Sequence, residues 1–310
     1  MKKLYILCSI LFCVNTGFSQ TVVIPDNNFA DYLTSVAPDC MNGNELDISC
    51  ANASSITQMI LGNMGLTNLS GVEHFTNLTH LLCGMNEITS IPVLPPNLQF
   101  FMAGFNQLTQ IPDLPNSLLL LDCSHNQVSE LPTLPQGLNE LMCFNNQLTS
   151  LNNLPNSLTY IVASNNQIAE INALPTALNY LDLSYNALTQ LPELPSALTL
   201  LSCRNNALIE LPDLPNLLTL HADSNQIQCF PTFPLSINAP VLDFVFLTIQ
   251  GNPFACLPNH IPAMTPDLLA YPVCIESPQD DVHNCAKAGV GLDESSFSFS
   301  VFPNPSLGSF

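Results

Sequence analysis

The chain of 310 residues has no tryptophan and only 4 Lys+Arg against 24 Asp+Glu, a formal net charge of −20. Without a cluster of cations it cannot neutralise a phosphate backbone or an anionic lipid surface, which excludes electrostatic nucleic-acid and membrane-surface binding. Charged residues are scarce too, at 9%, while 47% of the chain is apolar. That balance is the reverse of a disordered acidic tail, so the chain folds. The apolar run from Leu4 to Val14 has eleven residues, against roughly 20 for a membrane-crossing helix.

What surrounds that run gives it another meaning. Lys2 and Lys3 precede it, and Gly17-Phe18-Ser19 follows with small residues at the two positions a signal peptidase reads. A signal peptide over 1–19 is expected, cut before Gln20. Leu7 and Phe12, just before Cys8 and Cys13, are too large for a lipoprotein processing site. Removal of the segment leaves Arg204 and Lys287 against 24 acidic residues, a formal charge of −22, and no transmembrane segment in the mature chain.

Asn recurs at Asn86, Asn106, Asn126, Asn146, Asn166, Asn186 and Asn206, a period of 20 residues through seven copies. Around each one the apolar residues follow L-x-x-L-x-L-x-x-N-x-L, as in Leu118, Leu121, Cys123, Asn126, Val128 and again in Leu178, Leu181, Leu183, Asn186, Leu188. This is the leucine-rich repeat pattern. Ten rows are read, from an irregular first one at Ile56, with Met64 in the Asn slot, to a last one at Phe244. The fold class expected is a repeat solenoid: short parallel strands about 4.8 Å apart in a curved sheet, with an N-terminal helical cap. The Asn ladder is structural, because a buried amide can satisfy backbone groups of its own and neighbouring turns.

The other half of each row reads Leu-Pro-x-Leu-Pro, as in Leu131-Pro132-Thr133-Leu134-Pro135. Prolines three apart suit an extended, polyproline-like convex side and exclude a helix there. Asn152 and Asn172 replace the first Pro of the pair, which predicts a looser back in those two rows. Over residues 78 to 228 this short Pro-rich form resembles the leucine-rich repeats of bacterial type III secreted effectors.

The ends differ from the array. Ile24-Pro25-Asp26-Asn27-Asn28-Phe29-Ala30-Asp31-Tyr32-Leu33 has a polar start and apolar residues at helical spacing, predicting a short capping helix. It resembles the N-terminal caps of secreted bacterial leucine-rich repeat proteins. The following loop, Asp39 to Asp47, lacks the alternate carboxylates of a calcium site. Domain bounds expected are 1–19 signal peptide, 20–55 cap, 56–258 solenoid, 259–288 C-terminal cap and 289–310 linker with the start of a further domain. In that last stretch Phe302-Pro303-Asn304-Pro305-Ser306-Leu307-Gly308 resembles the opening of the C-terminal sorting domain of type IX secretion in Bacteroidota, which implies export to the cell surface or medium and a domain continuing past Phe310.

Of the twelve cysteines, Cys83, Cys123, Cys143 and Cys203 share one inward column with Ala103, Ala163 and Ala222 and read as small buried residues. Outside the signal segment and that column stand Cys40, Cys50, Cys229, Cys256, Cys274 and Cys285, an even set suited to end-staples in an oxidising compartment. Cys40 is paired with Cys50. Cys229 and Cys256 each follow an Asn slot, Asn225 or Asn252, by four residues, so of the three connectivities that four cysteines allow, Cys229 with Cys256 and Cys274 with Cys285 is the one expected.

Outward strand positions form the concave face, the usual binding surface of a solenoid. Candidate binding residues there are Leu82, Met102, Phe105, Met142, Phe144, Tyr185, Arg204, His221 and Asp223, apolar in the early rows and polar in the later ones. Ser202, His221 and Asp223 have the composition of a nucleophile, base and orienter, but a serine in mid-strand lacks free backbone N–H groups for an oxyanion hole. Asp122 and Asp182 lie three strands apart, about 14 Å, too far for a glycosidase pair. No enzyme, cofactor or metal is therefore expected. The function expected is protein or glycan binding outside the cell; the alternative is a structural or adhesive surface component with slight ligand specificity, and a hydrolase ranks last.

Overall fold

The computed structural model describes residues 20–237, 246–274 and 285. The expected signal peptide, the start of the last row at Phe244 and the segment resembling a sorting domain lie outside them. Two compact units are present, Met1–Leu138 and Asn139–Phe310.

In the first unit, β1 (Thr21–Val23), α1 (Asn27–Val36), β2 (Met41–Asn42) and β3 (Glu45–Asp47) make the cap. Asp26 begins α1 by accepting the Phe29 N–H at 3.1 Å. Phe29, Ala30 and Leu33 form the buried stripe of α1. The 39–47 stretch, read as a loop, is a hairpin: β2 and β1 both pair antiparallel with β3. Its turn is Gly43-Asn44, with Gly43 at φ +60°, and glycine is favoured at such a position of a tight hairpin.

The rows follow, one strand each: β4 (Gln58–Ile60), β5 (His80–Leu82), β6 (Phe100–Met102) and β7 (Leu120–Asp122), parallel and in sequential order. Met59, Leu81, Phe101 and Leu121 are register partners and fully buried, so the flanking residues of each strand point outward. The second unit repeats the plan with β8 (Glu140–Met142), β9 (Tyr160–Val162), β10 (Tyr180–Asp182), β11 (Leu200–Ser202), β12 (Thr219–His221) and β13 (Leu247–Thr248), then α2 (Pro266–Leu269). From Asn86 to Leu217 no residue is helical. The second Pro of each pair instead opens a turn: Pro115 O accepts Leu118 N–H at 3.1 Å, and Pro195 O accepts Leu198 N–H at 3.0 Å. A parallel bridge, Ser150 to Glu170, pairs the rows with Asn152 and Asn172, and the same slot bridges Glu210 to Cys229 in rows that keep Pro212 and Pro231.

Within each unit the ladder Asn ties its own strand end to the row before. Asn86 Oδ1 accepts the N–H groups of Met64 and Leu66 at 3.0 Å, and its Nδ2 donates to Leu61 O at 2.8 Å and Cys83 O at 2.9 Å. Asn186 repeats this on Ile168 N–H, Ala163 O and Leu183 O. Asn225 and Asn252 carry the ladder on. Cys83, Cys123, Cys143 and Cys203 are outside the disulfides, and all four are buried.

Cys40 is bonded to Cys50, but the other four cysteines correct the expected pairing: Cys229 is bonded to Cys285 and Cys256 to Cys274. The cause is backbone pairing after the last strand. Leu257 N–H donates to Pro272 O and Cys274 N–H to Leu257 O, both at 2.9 Å, a parallel bridge of Leu257 with Val273. That bridge brings Cys274 to Cys256 and leaves Cys229 for Cys285.

Candidate functional site

The residue before each ladder position is left-handed. In the first unit Asn63, Met85, Phe105 and His125 have φ between 51° and 58°, and in the second Asn145, Asn165, Tyr185, Asn205 and Ser224 have φ between 52° and 57°. The chain must turn out of the strand there while the Asn ladder is satisfied. Asn suits this conformation because its short side chain bonds locally, whereas a larger L-residue is disfavoured by roughly 1–2 kcal/mol. Met85, Phe105 and Tyr185 nevertheless occupy it, and they are 63%, 49% and 51% exposed, so burial does not offset the strain. Phe105 stacks on His125 with ring centroids 3.8 Å apart.

On the outward face of the first unit, Leu82 and Met102 are register partners and half-buried, and Ile60 at the head of their column is 62% exposed. His80 and Phe100 stack at 4.5 Å beside them. Gly104 keeps the face open, since a Cβ there would stand 3.0 Å from Ser124 Oγ and 3.2 Å from the Asp122 carboxylate. That carboxylate is fixed by Ser124, whose N–H and Oγ donate to Asp122 Oδ1 at 2.9 and 2.6 Å.

The second unit holds a groove of about 380 Å³ lined by Tyr180, Asp182, Tyr185, Ser202, Arg204 and His221 among others. The rings of Tyr160 and Tyr180 stack at 4.4 Å, and burial raises the pKa of the Tyr180 phenol, with Tyr160 and Asp182 adding to it. Ser184 N–H and Oγ donate to Asp182 Oδ1 at 2.9 and 2.6 Å. The Ser184 proton is thereby committed, so the 2.7 Å contact between Ser202 Oγ and Ser184 Oγ has Ser202 as donor. Thr248 Oγ1 donates to Asp223 Oδ1 at 2.5 Å and therefore accepts from His221 Nδ1 at 3.0 Å. Arg204 Nε lies 3.9 Å from Asp223 Oδ1. Burial, and then the Arg204 charge, lower the pKa of His221 against the opposing pull of Asp223 and Asp182.

Ser202, His221 and Asp223 are thus neighbours without the connectivity of a triad. The Ser202 hydroxyl donates to Ser184, and Asp223 reaches His221 only through Thr248. Of the expected binding residues the structure gathers Tyr185, Arg204 and His221 into the groove and sets Asp223 beside Arg204. Met142 is the register partner of Val162, and Phe144 stands half-buried two residues further along the chain. The first outward column, with His80, Phe100, Tyr160 and Tyr180, was missed, although Tyr160 and Tyr180 repeat at the period of 20. Among the described residues Cys256, Cys274 and Cys285 have metal-ligand proximity, but all three sulfurs are held in disulfides. No described helix is long and apolar enough to cross a membrane.

The sequence matches no protein-family model and no curated protein. Solved structures do resemble it. YopM from Yersinia enterocolitica WA-314 is 32% identical over 58% of this chain and 46% of that one, with a TM-score of 0.44. A Shigella effector LRR domain is 26% identical over 74% of this chain and 80% of that one, at 0.42. A chain of the PEPR1–AtPEP1 crystal structure is 21% identical over 66% of this chain and 32% of that one, at 0.51. The chain therefore spans less than half the length of the YopM and PEPR1–AtPEP1 chains. The parallel one-strand rows, the bonded Asn ladder and the likeness to the PEPR1–AtPEP1 chain make this a leucine-rich repeat fold.

Proposed function

We propose that this is an exported, non-enzymatic leucine-rich repeat protein that binds a protein or a glycan through the concave face made by its outward strand residues. The observation that carries the reading is the occupancy of the left-handed positions. A chain that needed only to fold would place Asn there, as it does at Asn63, Asn145, Asn165 and Asn205. Met85, Phe105 and Tyr185 accept the strain and expose their side chains, and large exposed groups held at a conformational cost mark contact sites. Three disulfides fit an oxidising compartment. They agree with the reading of 1–19 as a signal peptide and of the final residues as the start of a type IX sorting domain, for a secreted or surface-held protein. The commitment of the Ser202 proton to Ser184 supports a binding rather than a hydrolytic role.

The test is affinity capture from cell-surface extracts and a glycan panel, with oxidised wild-type protein beside Phe105→Asn and Tyr185→Asn. Both variants install the residue the fold itself uses at that position. A specific partner should be held by wild type and lost by at least one variant whose melting temperature is undiminished. Equal capture of the same material by all three proteins would remove the support for a specific face.

A further inference from the structure

We infer that the groove of the second unit is a binding site for a neutral oligosaccharide. The inference rests on the binding reading above and narrows the partner for this groove. Two tyrosines line it: Tyr180, whose ring stacks on that of Tyr160 at 4.4 Å, and Tyr185, 51% exposed. A sugar ring has an apolar C–H face and a rim of hydroxyls, and rigid tyrosine rings bind such faces with little loss of side-chain entropy.

The polar groups around those rings match the rim. Asp182 Oδ1 accepts twice from Ser184, so Oδ2 remains as an acceptor. Because Thr248 donates to Asp223, His221 carries its proton on Nδ1 and presents Nε2 as a second acceptor. Arg204 meets Asp223 only through Nε, leaving its terminal nitrogens as a donor fork. Each sugar hydroxyl both donates and accepts, so acceptors and donors interleaved with aromatic rings can satisfy it. The groove, at about 380 Å³, falls at the small end of the range of roughly 300–1,000 Å³ found for small-ligand sites.

Charge and backbone select among ligands. Asp182 and Asp223 outnumber Arg204, and with His221 neutral the local charge is negative, which disfavours uronate, sialyl or phosphate groups. An added peptide strand has no edge to pair with on this face, since the parallel ladder uses the backbone: Leu183 N–H donates to Ser202 O at 2.8 Å and Cys203 N–H to His221 O at 2.7 Å.

The experiment is calorimetric titration of the oxidised full chain with cello-, malto-, xylo-, manno- and chitohexaose, and with hexagalacturonate as the anionic comparator. At least one neutral hexasaccharide should bind with a Kd below about 1 mM. Tyr185→Asn, whose fold is secured by the native Asn at the same position of four other rows, should weaken it by roughly tenfold. Asp182→Asn should weaken it too, and hexagalacturonate should give no heat. Silence across the neutral panel, unchanged affinity in Tyr185→Asn, or preference for hexagalacturonate would each overturn the inference. Silence across the sugars while Phe105→Asn, in the other unit, abolishes capture of a surface protein sinks the sugar site and leaves the binding reading standing. Silence with capture unaltered in both variants sinks both.

Discussion

The Asp26 carboxylate and Thr67 are joined twice, Oδ2 accepting the Thr67 N–H at 2.7 Å and its hydroxyl at 2.9 Å across 41 residues of chain. The same oxygen accepts from Asn68 N–H at 3.2 Å, while Oδ1 caps α1 through Phe29. One buried side chain therefore both starts the cap helix and fastens it to the first row. Without it, α1 loses its N-cap and three further donors lose their acceptor.

Replacing Asp26 by Ala should lower stability by about 2–4 kcal/mol, the sum expected for a lost N-cap and lost charge-assisted bonds; Asn, which can keep the cap but not the Oδ2 acceptor, should cost less. Urea denaturation measures it. The pH dependence has a defined sign. Burial raises the Asp26 pKa, the bonds from Thr67, Phe29 and Asn68 lower it, and lowering prevails. A depressed folded-state pKa adds stability that is complete above the unfolded value of about 3.9 and is lost as pH falls through the folded one. The urea-midpoint gap between wild type and Asp26→Asn should stay constant from neutral pH to about 5 and close below about 3.9. A gap independent of pH down to strong acid would mean that the carboxylate charge is not what the cap uses.

How much of this could be read from sequence depends on whether a feature has a period. Leu81, Leu121 and Asn126 sit in slots repeated every 20 residues, so the buried column and the ladder were legible, as was the cap helix from Asp26 to Leu33. The left-handed turn is equally periodic, but its mark is a φ angle rather than an apolar side chain. Asn145, Asn165 and Asn205 were the visible trace of it. Asp26 meeting Thr67 has no period and no neighbourhood in sequence, and the Gly43-Asn44 hairpin lies in a stretch whose most conspicuous residues are its carboxylates. The cysteines failed for a related reason: Cys229 and Cys256 occupy equal slots, yet the bridge of Leu257 with Val273 lies past the repeat and decides the pairing.

The strain at the left-handed positions should be measurable apart from binding. Tyr185→Asn is expected to raise stability by about 1 kcal/mol, and Asn205→Val to lower it by about 1–2 kcal/mol, because a β-branched side chain is least tolerant of positive φ. Thermal melts of the two variants decide it. A stability drop in Tyr185→Asn would show that Tyr185 supports the fold and would weaken its assignment to a partner.

The ladder amides should be costly to remove. Asn126 Oδ1 accepts Leu108 N–H at 2.9 Å, and Nδ2 donates to Ala103 O and Cys123 O at 3.0 Å. Asn126→Ala leaves those buried groups short of partners at about 1–3 kcal/mol for each one left unsatisfied. A loss of about 3 kcal/mol or more in urea unfolding is expected, against little change for Asn116→Ala on the exposed back. Equal effects would mean that water replaces the amide.

The two classes of cysteine should separate chemically. Non-reducing peptide mapping should recover Cys229 linked to Cys285 and Cys256 linked to Cys274, with no Cys229–Cys256 peptide. By loop entropy the first bridge, closing 56 residues, stabilises by about 4 kcal/mol and the second, closing 18, by about 3 kcal/mol. The ladder thiols stay reduced and silent. Burial pushes the Cys83 thiol up to about 12, and burial, with the charges of Asp223 and Asp182, raises that of Cys203 still further. Alkylation requires the thiolate. At pH 8 iodoacetamide should therefore leave Cys83, Cys123, Cys143 and Cys203 unlabelled in the native protein and label all four along the urea unfolding curve. If one of them labels earlier than the others, the rows around it open separately, as a chain held together only by nearest-neighbour contacts allows.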